Sequence, residues 1–217
     1  MDCPALEDLG LGPGPHTIEG THRATSGGTW QVDSDSTFTF TTGCFIVGGK
    51  IRFKLSDTLT NLGSPTVLVT VTELCVSGTF SSITFDRSEN LLVCAVDVVV
   101  DYNGITVTYQ PCEQLASTIN PDITGLVLLP PSGYQSYSLD ATGLTMNSDA
   151  KLIVAAGNCV YFDQGAVIHL QLKSKVGVLD PYVLLTTDCL VGTVTLDVDF
   201  TLSTTVCRAS GGVEGNN

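Results

Sequence analysis

Eight cysteines carry the clearest chemistry in this chain of 217 residues. They fall into two sets of four, Cys3, Cys44, Cys75 and Cys94, then Cys112, Cys159, Cys189 and Cys207. The gaps are 41, 31 and 19 residues in the first set and 47, 30 and 18 in the second. No two cysteines stand as Cys-x-x-Cys, the close pairing by which a short turn presents two sulfurs to one zinc ion. Wide spacing and an even count suit disulfides instead, and hence an oxidising compartment. All eight are disulfide candidates. Four cysteines per set allow three pairings, and the spacing does not choose among them.

The other candidate chemistry is weaker. Asp33 and Asp35, and Asp197 and Asp199, are carboxylates two apart. In a strand such residues share a face, so each pair offers hard oxygen ligands that suit calcium, the one cofactor the sequence suggests. Neither pair sits in an EF-hand loop or a glycine-rich calcium repeat. Trp30, the only tryptophan, is the candidate for stacking on a sugar face. His16, His22 and His169 show no metal-ligand spacing. No nucleophile elbow, zinc-protease helix or P-loop is present, so the chain is not expected to be an enzyme.

The matched cysteines lie 109, 115, 114 and 113 positions apart, which reads as an internal duplication. Flanking residues follow the same alignment: Cys75-Val76-Ser77-Gly78-Thr79 faces Cys189-Leu190-Val191-Gly192-Thr193, and Ile51, Phe53 and Leu55 face Ile168, Leu170 and Leu172. Two domains follow, 1–110 and 111–217. The first would carry an N-terminal arm at about 1–18 and the second a flexible tail at about 208–217.

Elements that could position these residues are almost all strands. Thr37-Phe38-Thr39-Phe40-Thr41 alternates polar and apolar, as a half-buried strand does, and residues 50–55, 67–72 and 193–201 do the same. Residues 95–110 read as a hairpin about Asn103-Gly104. The expected fold is all-β: two tandem antiparallel β-sandwich, jelly-roll-like domains stapled by disulfides. Short strands separated by Asp-Ser, Thr-Gly and Asp-Gln-Gly turns also fit a short parallel β-helix, the alternative fold.

Composition narrows function. Twenty-two acids against nine bases leave a net charge of −13, which disfavours nucleic acid and anionic membrane surfaces as partners. No apolar run is long enough for a transmembrane helix, and scarce aromatics argue against a membrane β-barrel. Only 14% of residues are charged while 43% are hydrophobic, so neighbouring copies are expected to cover part of the surface. Met1-Asp2-Cys3 begins without a basic start or an apolar core, which suggests a mature chain whose secretory signal has been removed. The expectation is an extracellular or cell-surface structural protein that self-assembles into a filament, appendage, sheath or coat. The alternatives are a monomeric adhesin or glycan-binding module, and a viral coat or fibre component.

Overall fold

A computed structural model describes residues 3–120, 122–129, 136–173 and 183–201. The chain divides into two compact units, Met1–Pro111 and Cys112–Asn217. Regular secondary structure is nearly all strand: among the described residues the helical elements are a single 3₁₀ turn at Leu6–Leu9 and one α turn, α1, at Leu115–Thr118.

The first unit winds through three faces in turn. Its first circuit is β1 (Pro15–Ile18), β2 (His22–Arg23) and β3 (Thr29–Asp33). The second is β4 (Thr37–Phe40), β5 (Phe45–Val47) and β6 (Lys50–Lys54), and the third β7 (Pro65–Val71), β8 (Val76–Gly78) and β9 (Ser82–Asp86). Each strand pairs in parallel with the strand one circuit later, giving sheets β1-β4-β7, β2-β5-β8 and β3-β6-β9. This is the connectivity of a short parallel β-helix.

Alternation does the folding work. In β3 and β6 every second residue is buried, Trp30 and Val32, then Ile51 and Phe53. These meet Phe38, Phe40 and Phe45 in one core. The rings pack tilted or stacked, Trp30 to Phe38 at 5.3 Å and Phe40 to Phe45 at 5.1 Å between centroids. Full burial of each such side chain contributes roughly 1.5–3 kcal/mol.

The hairpin at Asn103-Gly104 is present. Strands β10 (Val93–Asp101) and β11 (Gly104–Pro111) pair antiparallel. The Asp101 carboxylate accepts the Asn103 and Gly104 amides at 2.7 and 3.1 Å, which holds the turn. β11 then pairs antiparallel with β7, and Val96, Val98 and Val100 of β10 pack against the core. The hairpin thereby extends one sheet beyond the last circuit.

The second unit repeats this plan without such a hairpin among its described residues. Its strands are β12 (Glu113–Gln114), β13 (Leu126–Leu129), β14 (Ser136–Leu139), β15 (Leu144–Asn147), β16 (Lys151–Val154), β17 (Cys159–Phe162), β18 (Val167–Gln171), β19 (Leu185–Thr186), β20 (Cys189–Gly192) and β21 (Thr195–Asp199). The sheets β12-β14-β17-β20, β13-β16-β19 and β15-β18-β21 are all parallel. Leu139, Leu144, Met146, Leu152 and Val160 fill the core between them.

One expectation needs correction. Antiparallel sandwich domains are not what forms: the sheets are small and mostly parallel, and the alternative β-helical winding matches the observed pairing. The physical reason is that alternation marks a half-buried strand but carries no direction. Turns such as residues 19–21 redirect the chain to a new face and do not reverse it. The described part of the N-terminal stretch packs on the first unit. Leu6 is buried, Ala5 bridges to Arg23, and Pro15–Ile18 is the first strand of the first circuit. The expected tail at 208–217 lies outside the described residues.

Candidate functional site

Each unit holds a disulfide between cysteines on, or just before, neighbouring parallel strands. Cys44 and Cys75 precede β5 and β8 at matched positions one circuit apart, and they form a disulfide with Cα atoms 4.8 Å apart. Cys159 and Cys189 face each other directly across β17 and β20 and form a second, at 4.5 Å. A hydroxyl residue stands one circuit earlier in both ranks. The Cys44 amide donates to Thr21 Oγ1 at 3.1 Å and the Cys159 amide to Ser136 Oγ at 3.3 Å. Three residues beyond the later cysteine comes a glycine, Gly78 or Gly192, with φ of 95° and 94°. An added Cβ would overlap the Val47 carbonyl oxygen at the first and the Phe162 carbonyl oxygen at the second. Only glycine fits at both points.

Cys94 and Cys112 are disulfide-bonded as well. Cys3, a disulfide candidate by sequence, instead holds a free, half-buried thiol. Cys207 lies outside the described residues.

Trp30 is 3% exposed and packs on Phe38, Phe45 and Phe80. This corrects its reading as a sugar-stacking platform, because alternation in β3 turns its ring inward. One edge lines a cleft of about 300 Å³ shared with Leu6, Leu11, Asp33, Ser36 and Phe38.

Asp197 and Asp199 share the exposed face of β21. Asp33 ends β3, whereas Asp35 lies beyond it and accepts the Ser34 hydroxyl at 3.0 Å. Asp197 Oδ2 is 3.0 Å from His169 Nδ1 on the neighbouring strand, and Asp199 accepts the Thr201 amide at 2.8 Å. Among the described residues no three His, Cys, Asp or Glu side chains converge as metal ligands do. In the first unit, His16 stacks on Phe38 at 5.3 Å and His22 tilts against Phe40 at 6.0 Å.

Several acids are held in their charged form. Glu7 sits well below the usual carboxylate range because the Thr25 hydroxyl donates to it at 2.6 Å and Ser26 adds its amide and hydroxyl at 2.8 Å. The Thr142 hydroxyl and amide lower Asp140, and the Lys173 ammonium lowers Asp149. Tyr109 moves the other way: burial, and then the Asp35 carboxylate, push its phenol above the ordinary range.

One surface was not singled out from the sequence. On β1, β4 and β7 the side chains opposite the core are mostly threonine. Thr17, Thr39 and Thr70 stand in one rank across three strands. The next outward rank adds Thr41 and Thr72, whose amides continue the same ladder to Ile18 and Phe40. All five are exposed, and Thr37 at the other end of β4 is partly so. The Thr41 and Thr72 hydroxyls donate to the Ile18 and Phe40 carbonyls at 3.3 and 3.0 Å, whereas those of Thr17, Thr39 and Thr70 take no partner among the described residues. The sequence signal was available in Thr37-Phe38-Thr39-Phe40-Thr41 and Thr70-Val71-Thr72. What was missing was the parallel register that lines them up.

No protein-family profile, no curated protein and no solved structure matches this chain.

Proposed function

We propose that this chain is a non-catalytic, extracellular structural protein whose copies join end to end into a filament, appendage, sheath or coat. The carrying observation is that two strands of the first circuit and two of the last are bonded on one side only. Among the described residues, β1 pairs with β4 alone and β3 with β6 alone, while β20 pairs with β17 alone and β21 with β18 alone. Such edges leave amides and carbonyls without ladder partners and accept a further strand readily. Parallel winding makes the last circuit of one copy a template for the first circuit of another. That contact is head to tail, and contacts of this kind generate open polymers unless the rotation closes.

Other features agree with this reading. Disulfides stabilise proteins in oxidising surroundings, where extracellular structures work. The matched hydroxyl–Cys–Cys ranks and the paired glycines support descent of both units from one duplicated, disulfide-stapled domain. The net charge of −13 opposes association of like copies, so assembly should strengthen as salt screens it.

Sedimentation and negative-stain microscopy of the oxidised protein across a salt series test the proposal. Polymers growing with salt are expected. Val191 is exposed on the terminal strand β20, and Val191→Lys should shift the material toward monomer, since an edge lysine deters strand addition. Wild-type protein that stays monomeric at high concentration in high salt overturns the proposal.

A further inference from the structure

We infer that the threonine face of the first unit binds ice, through the ordered water of a crystal surface. The inference stands on that face alone and does not depend on whether copies polymerise. Across β1, β4 and β7 the ranks Thr17–Thr39–Thr70 and Thr41–Thr72 form a two-dimensional grid. Its repeats are roughly 4.8 Å between strands and roughly 6.6 Å for two residues along a strand. These lie close to the oxygen repeats on a prism face of ice. The strands keep one register over the ranks, and the pairing shows no bulge between β1 and β4 or between β4 and β7 there.

Each threonine brings a hydroxyl to hydrogen-bond a lattice water and a methyl that cages the water beside it. β-Branching leaves the side chain few rotamers, so little freedom is lost on binding. The hydroxyls of Thr41 and Thr72 are further fixed by the carbonyls of the preceding circuit. Those of Thr17, Thr39 and Thr70 have no partner among the described residues and remain available to water.

Charge and size point to the same occupant. No lysine or arginine stands in these ranks, and the acids adjoining them, Glu19 and Glu73, are at the rim, where Glu73 accepts the Gly43 amide at 3.1 Å. An anionic partner therefore finds no counter-charge. No exposed aromatic ring lies in the ranks either, which removes the usual platform for a sugar. Three strands over about five residues span a face of roughly 200–250 Å². A stable protein partner needs about 800 Å² per side. A repeating lattice has no such requirement, because irreversible adsorption on ice is collective over all grid points.

The test is thermal hysteresis and ice-crystal shaping, measured on the purified oxidised protein by nanolitre osmometry. Wild type is expected to hold a growth gap and to facet the crystal. Thr39→Lys, at the centre of the grid, should abolish most of the gap. Gln31→Lys, on an exposed position of another face of the same unit, should leave it intact. Circular dichroism confirms that each variant is folded, and Thr39→Val supplies a milder change that keeps the methyl and strand preference. A gap no larger than that of serum albumin at equal concentration overturns the inference. So does a gap equally large in wild type, Thr39→Lys and Thr39→Val.

Discussion

Removing the Cys44–Cys75 bridge by Cys44→Ala with Cys75→Ala is a direct test of what the cysteine spacing does. The bridge joins residues separated by 31 positions in sequence. Loop-closure entropy for a ring of that size corresponds to about 3.7 kcal/mol at 25 °C, because the open variant regains chain freedom when unfolded. In the folded state little else changes, since the β5–β8 ladder and the Thr21 hydrogen bond use backbone atoms that alanine retains. A urea dependence near 2 kcal/mol per molar would convert this to a midpoint lower by roughly 2 M. The assay is built into the sequence: Trp30, the only tryptophan, lies in the core of the same unit. Its fluorescence against urea reads the transition of that unit. The Cys159–Cys189 bridge spans 30 positions, so its removal should cost nearly the same, about 3.6 kcal/mol on the same reckoning, as followed by far-ultraviolet dichroism. A loss well under 1 kcal/mol for the first bridge would refute the reasoning. It would mean that the unfolded chain is already held compact there.

Gly78→Ala and Gly192→Ala should each destabilise, by about 1–2 kcal/mol for the left-handed backbone and further for the overlap with the preceding circuit's carbonyl; urea midpoints check this, and alanine accepted without loss at both positions would contradict the close approach. Acid stability should depend on Glu7: its folded pKa is depressed, so the stability it contributes is present above its unfolded pKa, about 4.3, and is lost as pH falls through the lower folded value. Glu7→Gln should therefore flatten the stability–pH curve in that window, measured by Trp30 fluorescence at fixed urea. Tyr109 should stay protonated at alkaline pH until the first unit unfolds, seen as phenolate absorbance that appears together with the loss of the Trp30 signal and not before it.

Strand content was legible because alternation is a local property. Residues such as Phe38 and Phe40, or Ile51 and Phe53, announce a buried face wherever the strand is placed. The Asn103-Gly104 turn was legible for the same reason, since it needs only two short strands and an acid to cap it. Trp30 shows the limit: tryptophan type suggested an exposed platform, yet its neighbours in β3 already placed it on the inward side of the alternation. Cys3 shows another, because equal spacing in two sets does not force equal oxidation.

Sequence alone therefore determined that the chain is β-rich, which residues alternate inward, and that Cys44, Cys75, Cys159 and Cys189 occupy matched places. Tertiary structure alone decided that neighbouring strands run parallel, that each of these cysteines bonds to the partner one circuit away, and that threonines 31 residues apart at Thr39 and Thr70 stand side by side. The reason is that direction and register are set by how the chain turns between faces. Circuit lengths differ, 22 residues from Thr17 to Thr39 and 31 from Thr39 to Thr70, so no fixed period in the sequence records which residues will meet.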